Sequence, residues 1–285
     1  MIDRNRIATC RAEEEARFIA ANPKSADAVL DRKRGWHQGV PFHWMRDWPS
    51  PFPLTAKSAH GSTLTTLDGQ VLDDFCLGDT ASMFGHSPEP LALALAQQAQ
   101  EGLSYMLPSQ KAADVGLMLA ARFHHPHWQL TTTAAEANRA AIRWARGITG
   151  RDKILIFNGC YHGTVDDIFV TLKDGKTVNR AGLLGQVTDL STLAVCCEFN
   201  DLASVEAALA QGDVAAILTE PVMTNCCMVL PEAGFLEGLR RLASQYGSLL
   251  ILDETHTLST GYGGYCRVHG LQPDIFVVGK CVAGG

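Results

Sequence analysis

Long apolar runs are missing from this 285-residue chain. No stretch is long enough to cross a bilayer. The N-terminus, Met-Ile-Asp-Arg-Asn-Arg, lacks the apolar core of a signal peptide. A soluble, cytoplasmic protein with no membrane partner is expected. A basic stripe is also missing. The net charge is −6 and the pI is near 5.9, which argues against nucleic acid as a partner. Nine cysteines are present, yet no C-x-x-C occurs, and this excludes zinc-ribbon and thioredoxin-like sites. The adjacent pairs Cys196–Cys197 and Cys226–Cys227, within an odd total, favour reduced and mostly buried thiols. No metal site is expected. Internal repeats and low-complexity tracts are absent. Gly261-Tyr-Gly-Gly264 does not have the G-x-G-x-x-G order of a nucleotide loop that opens a helix.

What is present is a large core and a change of pattern. Hydrophobic residues make up 46% of the chain, enough for one large domain or somewhat more. Residues 4–22 read as an amphipathic helix with an acidic patch at Glu13-Glu14-Glu15. Residues 36–53 are rich in tryptophan and proline and read as irregular chain. Leu54–Thr66 and Val71–Phe75 read as a small antiparallel sheet, with turn chemistry at His60-Gly61 and Asp68-Gly69. After about residue 88 come helices at 88–101 and 110–123. Strands are then expected at 128–131, 153–157, 193–199, 214–219, 249–252 and 275–278, and helices at 135–148, 201–211 and 232–246. Such alternation predicts an α/β fold, a mostly parallel sheet flanked by helices. The expected division is an N-terminal α+β segment over 1–80 and a large α/β domain over 81–285. Residues 171–192 are polar and read as a surface loop.

The last strands carry the chemistry. Leu249–Leu252 and Ile275–Val278 have the length and branching of buried strands. The first ends in Asp253-Glu254, the second in Gly279-Lys280. Parallel neighbours bring the carboxylate and the amine to one sheet edge, where open α/β folds place ligands. Taken singly, the carboxylate reads more simply as a helix cap or loop residue and the lysine as a solvated group. Trp128 to Asn138 opens a helix whose free N–H groups at Thr133, Ala134 and Ala135 suit a phosphate, though a plain Thr N-cap is the simpler reading. Tyr161 and His162 come after the next strand and can stack on a flat ring, or pack as an ordinary loop aromatic. Glu220 closes the strand at 214–219, at the same edge as Asp253.

In this order the residues resemble those of class III, pyridoxal-phosphate-dependent aminotransferases, of the branch that includes glutamate-1-semialdehyde aminomutase and β-amino-acid aminotransferases. The likeness runs from about Pro53 to the end. It is densest at Ala140–Lys153, Gly159-Cys-Tyr-His-Gly163, Asp253-Glu254 and Gly279-Lys280. It implies fold type I and pyridoxal 5′-phosphate as cofactor. Lys280 is implied as the Schiff-base residue and Asp253 as the partner of the pyridine nitrogen, which makes the ring an electron sink. Tyr161 is implied to stack on the ring with His162 beside it, and Thr133–Ala135 to bind the phosphate. Glu220 is implied as a carboxylate near Asp253. Arg46 stands where relatives carry an arginine for the substrate carboxylate. Amino-acid and oxo-acid substrates and a homodimer are implied too.

Three departures stand out. Thr133-Ala-Ala-Glu-Ala137 replaces the usual Ser-Gly-Thr-Glu-Ala, so Ala135 offers no hydroxyl. Thr255 stands where an apolar residue usually packs against the ring. The chain stops five residues after Lys280, where family members continue into a C-terminal domain expected to be absent here. Met106 and Leu107 are larger than the residues at that turn in aminomutase relatives, which favours an apolar amino acid. The main expectation is an aminotransferase working by ping-pong transfer. An aminomutase, an epimerase or a non-catalytic module with this cofactor fold stands as the alternative, and a non-pyridoxal α/β enzyme is carried beside them.

Overall fold

The computed structural model describes residues 2–32 and 35–284. Contacts divide the chain into two compact units, one running to Leu103 and including Gly284, the other spanning Ser104–Ala283.

In the N-terminal unit, α1 (Arg4–Ala21) starts where Asp3 caps the amides of Asn5 and Arg6. Helix α2 (Pro23–Arg32) comes at once after it, with proline at its first position, where the missing N–H costs nothing. The expected small sheet is present as β1 (Ala56–His60), β2 (Thr63–Thr66) and β3 (Val71–Asp73), antiparallel in that order. The β2–β3 turn holds Asp68, which accepts from the Lys24 and Ser25 amides and the Ser25 hydroxyl, anchoring α2 to the sheet. Helix α3 (Glu89–Glu101) belongs to this unit.

The second unit begins with α4 (Gln110–Phe123) and α5 (Ala134–Thr149). Its central sheet has five parallel strands in the order β10-β9-β8-β4-β7. These are β4 (Lys153–Phe157), β7 (Ala194–Cys197), β8 (Val214–Thr219), β9 (Leu249–Asp253) and β10 (Ile275–Val277). All six residues of β8 are buried, as expected of a central strand covered on both faces. Helix α5 packs on β8, β9 and β10. Helices α6 (Leu202–Leu209) and α7 (Phe235–Tyr246) pack on each other and on β7, β8 and β9. Phe157, Phe199 and Phe235 interlock edge to face between them. Short helix α8 (Gly264–His269) precedes β10.

Two expectations are corrected. Residues 128–131 form no strand; a strand needs a neighbour for its backbone groups, and no described strand pairs with them. Trp128 instead ties its ring N–H to the His125 carbonyl and packs on Phe123 and Phe276. Residues 171–192 are not a plain loop. They hold most of an antiparallel hairpin, β5 (Val170–Lys173) and β6 (Lys176–Asn179), closed by Asp174-Gly175, and a 3₁₀ turn at Leu190–Thr192. Among the described residues, no helix is long and apolar enough to cross a membrane.

Candidate active site

The carboxyl ends of β9 and β10 meet in register, with Val277 opposite Asp253. The Glu254 amide continues the ladder by donating to the Val277 carbonyl at 2.8 Å. Asp253 is 3% exposed, so an ionised carboxylate there needs donors on both oxygens. It has them. Oδ1 accepts from the Thr255 amide (3.0 Å) and hydroxyl (2.6 Å). Oδ2 accepts from Asn138 Nδ2 (2.8 Å) and lies 2.9 Å from His162 Nδ1. Burial alone would raise this carboxyl, but His162, Thr255 and Asn138 together hold it below the ordinary aspartate range. Burial likewise pulls the His162 imidazole down, and Cys160 and Asp253 outweigh it, pushing it up to about 10. Both shifts favour an imidazolium beside a carboxylate.

The next element is the approach of α5 to the lysine. A methyl group built on Gly279 would lie 2.8 Å from the Ala134 Cβ and 3.5 Å from Thr255, so glycine is required there. Lys280, the next residue, lies in the left-handed region at φ 54°, an uncommon conformation for a residue with a side chain and frequent at functional sites. Helix α5 begins where the Thr133 hydroxyl accepts the Glu136 amide, while Glu136 reaches back to the Thr132 amide at 3.0 Å. The Ala134 and Ala135 amides, first in the helix, have no intrahelical acceptor. Gly163, at φ 81°, leaves no room for a side chain against Ala135, where a methyl group would meet the Ala135 Cβ at 2.6 Å. Two glycines therefore flank this one helix start. A cavity of about 480 Å³ reaches from Phe276 and Ala137 to Thr133, Ala134, Gly279 and Lys280.

The other residues expected at the site differ in their surroundings. Tyr161 is 47% exposed while its neighbour His162 is buried, so the ring is available for stacking. Glu220 is 2% exposed and accepts from the Thr224 hydroxyl at 2.5 Å. Burial, with Asp253 adding to it, raises its carboxyl despite the Thr224 bond and the His162 charge. Thr255 turns its hydroxyl to Asp253. Met106 is fully exposed. Arg46 ends the 3₁₀ turn His43–Arg46 in the N-terminal unit. Among the described residues, no cluster of three or more His, Cys, Asp or Glu side chains could hold a metal.

Two residues for which no separate role was expected belong to the site. Asn138 donates to both Asp253 and the His162 carbonyl (3.1 Å), joining α5, β9 and the turn after β4. Its only sequence signal is an amide one turn into a helix that starts beside a ligand-binding edge. Glu254 points away from Asp253 and accepts the Tyr265 and Cys266 amides, each at 2.6 Å, at the start of α8. It thereby fixes the chain immediately after the site carboxylate.

A buried carboxylate, a strand-end lysine and an open helix start, in this topology, define a fold type I pyridoxal-phosphate-dependent transferase. The chain belongs to the class-III aminotransferase family, whose model matches residues 45–285, and the cofactor is pyridoxal 5′-phosphate. It is 37% identical over 244 residues to a glutamate-1-semialdehyde 2,1-aminomutase of Ignicoccus hospitalis, covering 82% of this chain and 57% of that protein. A crystal structure of a glutamate-1-semialdehyde-aminomutase from Pseudomonas aeruginosa in complex with PMP superposes with a TM-score of 0.96 at 47% identity, covering all of this chain and 63% of that one. An omega-transaminase from Sphaerobacter thermophilus superposes with a TM-score of 0.84 at 29% identity, covering 92% and 61%. The chain thus spans a little over half the length of that curated relative.

Proposed function

We propose that this chain carries the cofactor-binding half of an enzyme that moves an amino group, with Lys280 as the residue that binds the cofactor's aldehyde. The observation that carries the reading is the in-register pair of strand ends, with Asp253 held ionised beside the strand that delivers Lys280. The residues present fit the cofactor. Asp253 offers a charged acceptor to a ring nitrogen. The Ala134 and Ala135 amides offer donors and a helix dipole to a phosphate. Tyr161 offers a face for the ring, and Gly279 keeps the helix start close to the lysine. Bound there, the cofactor supplies an electron sink for a carbanion. His162, Asn138 and Thr255 keep Asp253 anionic and oriented. With the cofactor bound, the Lys280 Nζ amine would be the group that takes up and returns a proton.

Of the readings that share this machinery, the comparisons favour the aminomutase, in which the amino group moves within one molecule. Relatives with that name are more similar to this chain than the transaminase neighbours. This reverses the order in which the sequence ranks the two. The transaminase reading rests on Met106 and Leu107, large apolar side chains that are exposed in this chain and that, brought against a substrate, would disfavour a small polar semialdehyde by about 1–3 kcal/mol per misplaced methylene-sized contact. Incubation with glutamate-1-semialdehyde, and separately with a panel of amino acids and 2-oxo acids, separates them. Turnover of the semialdehyde without stoichiometric loss of a 2-oxo acid supports the mutase; consumption of one oxo acid per amine supports transfer.

We infer a homodimer in the cytoplasm as the working form. Exposed Leu93 and Leu95 on α3, and Leu117 and Met118 on α4, support pairing. A sedimentation measurement that returns only monomer contradicts it.

A further inference from the structure

The site contains two buried polar atoms that lack a partner among the described residues, His162 Nε2 and Glu220 Oε1. Each side chain already uses its other end. His162 Nδ1 lies on Asp253 Oδ2 at 2.9 Å. Glu220 Oε2 accepts from the Thr224 hydroxyl and, at 3.4 Å, from the Thr224 amide. The residues are 3% and 2% exposed, and an unmet donor or acceptor at such depth is costly.

Sheet register brings both residues to the Asp253 edge. Thr219 pairs with Leu252 in the β8–β9 ladder, so Glu220 and Asp253 come next on adjacent strands. Two buried carboxyl groups therefore flank one imidazole. The charged and titratable groups around the His162 ring are Asp253 at the end of β9, Glu220 just after β8 and Cys160 in the turn after β4, while Asn138 of α5 bonds the His162 carbonyl. Like charges this close cannot both stay ionised without a cation or a proton between them.

We propose that His162 Nε2 and Glu220 Oε1 share one proton through a single bound water, so that Asp253, His162 and Glu220 form one continuous line. The count balances. Three groups hold two protons, with a net charge of −1. One proton lies between Asp253 and Nδ1. The other sits either on Nε2, facing a Glu220 carboxylate, or on Glu220, facing a neutral imidazole. Its transfer changes no net charge and leaves Asp253 an anion in both states. Glu220 is thus a positioning residue: it acts on Asp253 through His162. The proposal deepens the reading of Asp253 as the acceptor for a ring nitrogen, but it concerns only the protein's own groups.

The test uses cofactor-free protein labelled with ¹⁵N-histidine, with the His162 signal assigned by its loss in His162→Gln. Its titration midpoint is tracked against pH. Glu220→Gln removes the second carboxylate, and the midpoint falls by about 1–3 pH units. Thr224→Val removes a donor from Glu220 and makes its carboxyl more basic, so the midpoint rises. A merely structural role for Glu220 does not produce opposite signs. An unchanged midpoint in both variants, or shifts of the same sign, overturns the proposal. So does a shift on Cys160→Ser while both other variants are silent, which assigns the proton to the thiol. If Glu220→Gln does not fold, Thr224→Val decides alone: a rise supports the shared proton and no change overturns it. This titration is independent of where the cofactor attaches, so either reading can fail without the other.

Discussion

Gly279 lies so close to Ala134 that a methyl group on the glycine would stand 2.8 Å from the alanine Cβ. Through this contact the end of the lysine strand is set against the first turn of α5. The helix amides and Lys280 are thereby held near one another by backbone packing, with no flexible side chain between them.

Gly279→Ala is expected to destabilise the protein by about 1–3 kcal/mol, the usual range for overpacking. Ala134→Gly in the same chain opens the space and should recover most of the loss, less the helix cost of glycine, about 1 kcal/mol. Denaturant unfolding of the single and double variants checks this. Equal destabilisation in both would show that the clash is not the cause.

Asp253→Asn is expected to leave the circular dichroism spectrum intact while cutting kcat by about 10²–10³-fold, the scale seen when one preorganised electrostatic contact is removed. A neutral amide cannot hold a ring nitrogen protonated, nor keep His162 charged. Near-normal turnover would refute the role.

Stability should fall on the alkaline side. His162 is raised in the folded state from 6.5 to about 10, so the native state holds more protons than the unfolded chain between those values. The contribution is complete below pH 6.5 and is lost as the pH climbs through about 10. The slope has an upper bound of about 1.4 kcal/mol per pH unit. Unfolding free energies between pH 6.5 and 10 should decline in the native sequence and flatten in His162→Gln. Parallel curves would remove His162 from the account.

Glu254→Gln leaves one acceptor where the carboxylate now serves the two amides that start α8. The expected loss is about 1–3 kcal/mol. Hydrogen exchange should speed up at Tyr265 and Cys266 before it does at the core of β8. Unchanged protection at those amides would contradict the capping role.

Much of the site is legible in the sequence because strand ends are legible. Leu249–Leu252 and Ile275–Val277 are short, branched and apolar, and the residues just after such runs must lie at the sheet edge. The link between Asp253 and Lys280 therefore comes from topology alone. That of Asn138 does not. Its role depends on the rotation of α5 against β9, and a helical asparagine carries no local sign of a partner 115 residues away. The β5–β6 hairpin has a readable signal, since Val170–Lys173 and Lys176–Asn179 flank an Asp-Gly turn, but the polar stretch beyond masks it. Residues 128–131 mislead for the opposite reason. Their composition suits a strand, but pairing depends on a neighbour that sequence pattern does not specify. The orphaned Glu220 oxygen is likewise invisible until β8 and β9 are set in register.

The central claim is that Lys280 carries the cofactor. Load the purified protein with pyridoxal 5′-phosphate, reduce it with borohydride, digest it and map the modified peptide. The account predicts loss of the visible band and a single stable label on Lys280. A label on Lys153 or Lys173, with Lys280 unmodified, would contradict it.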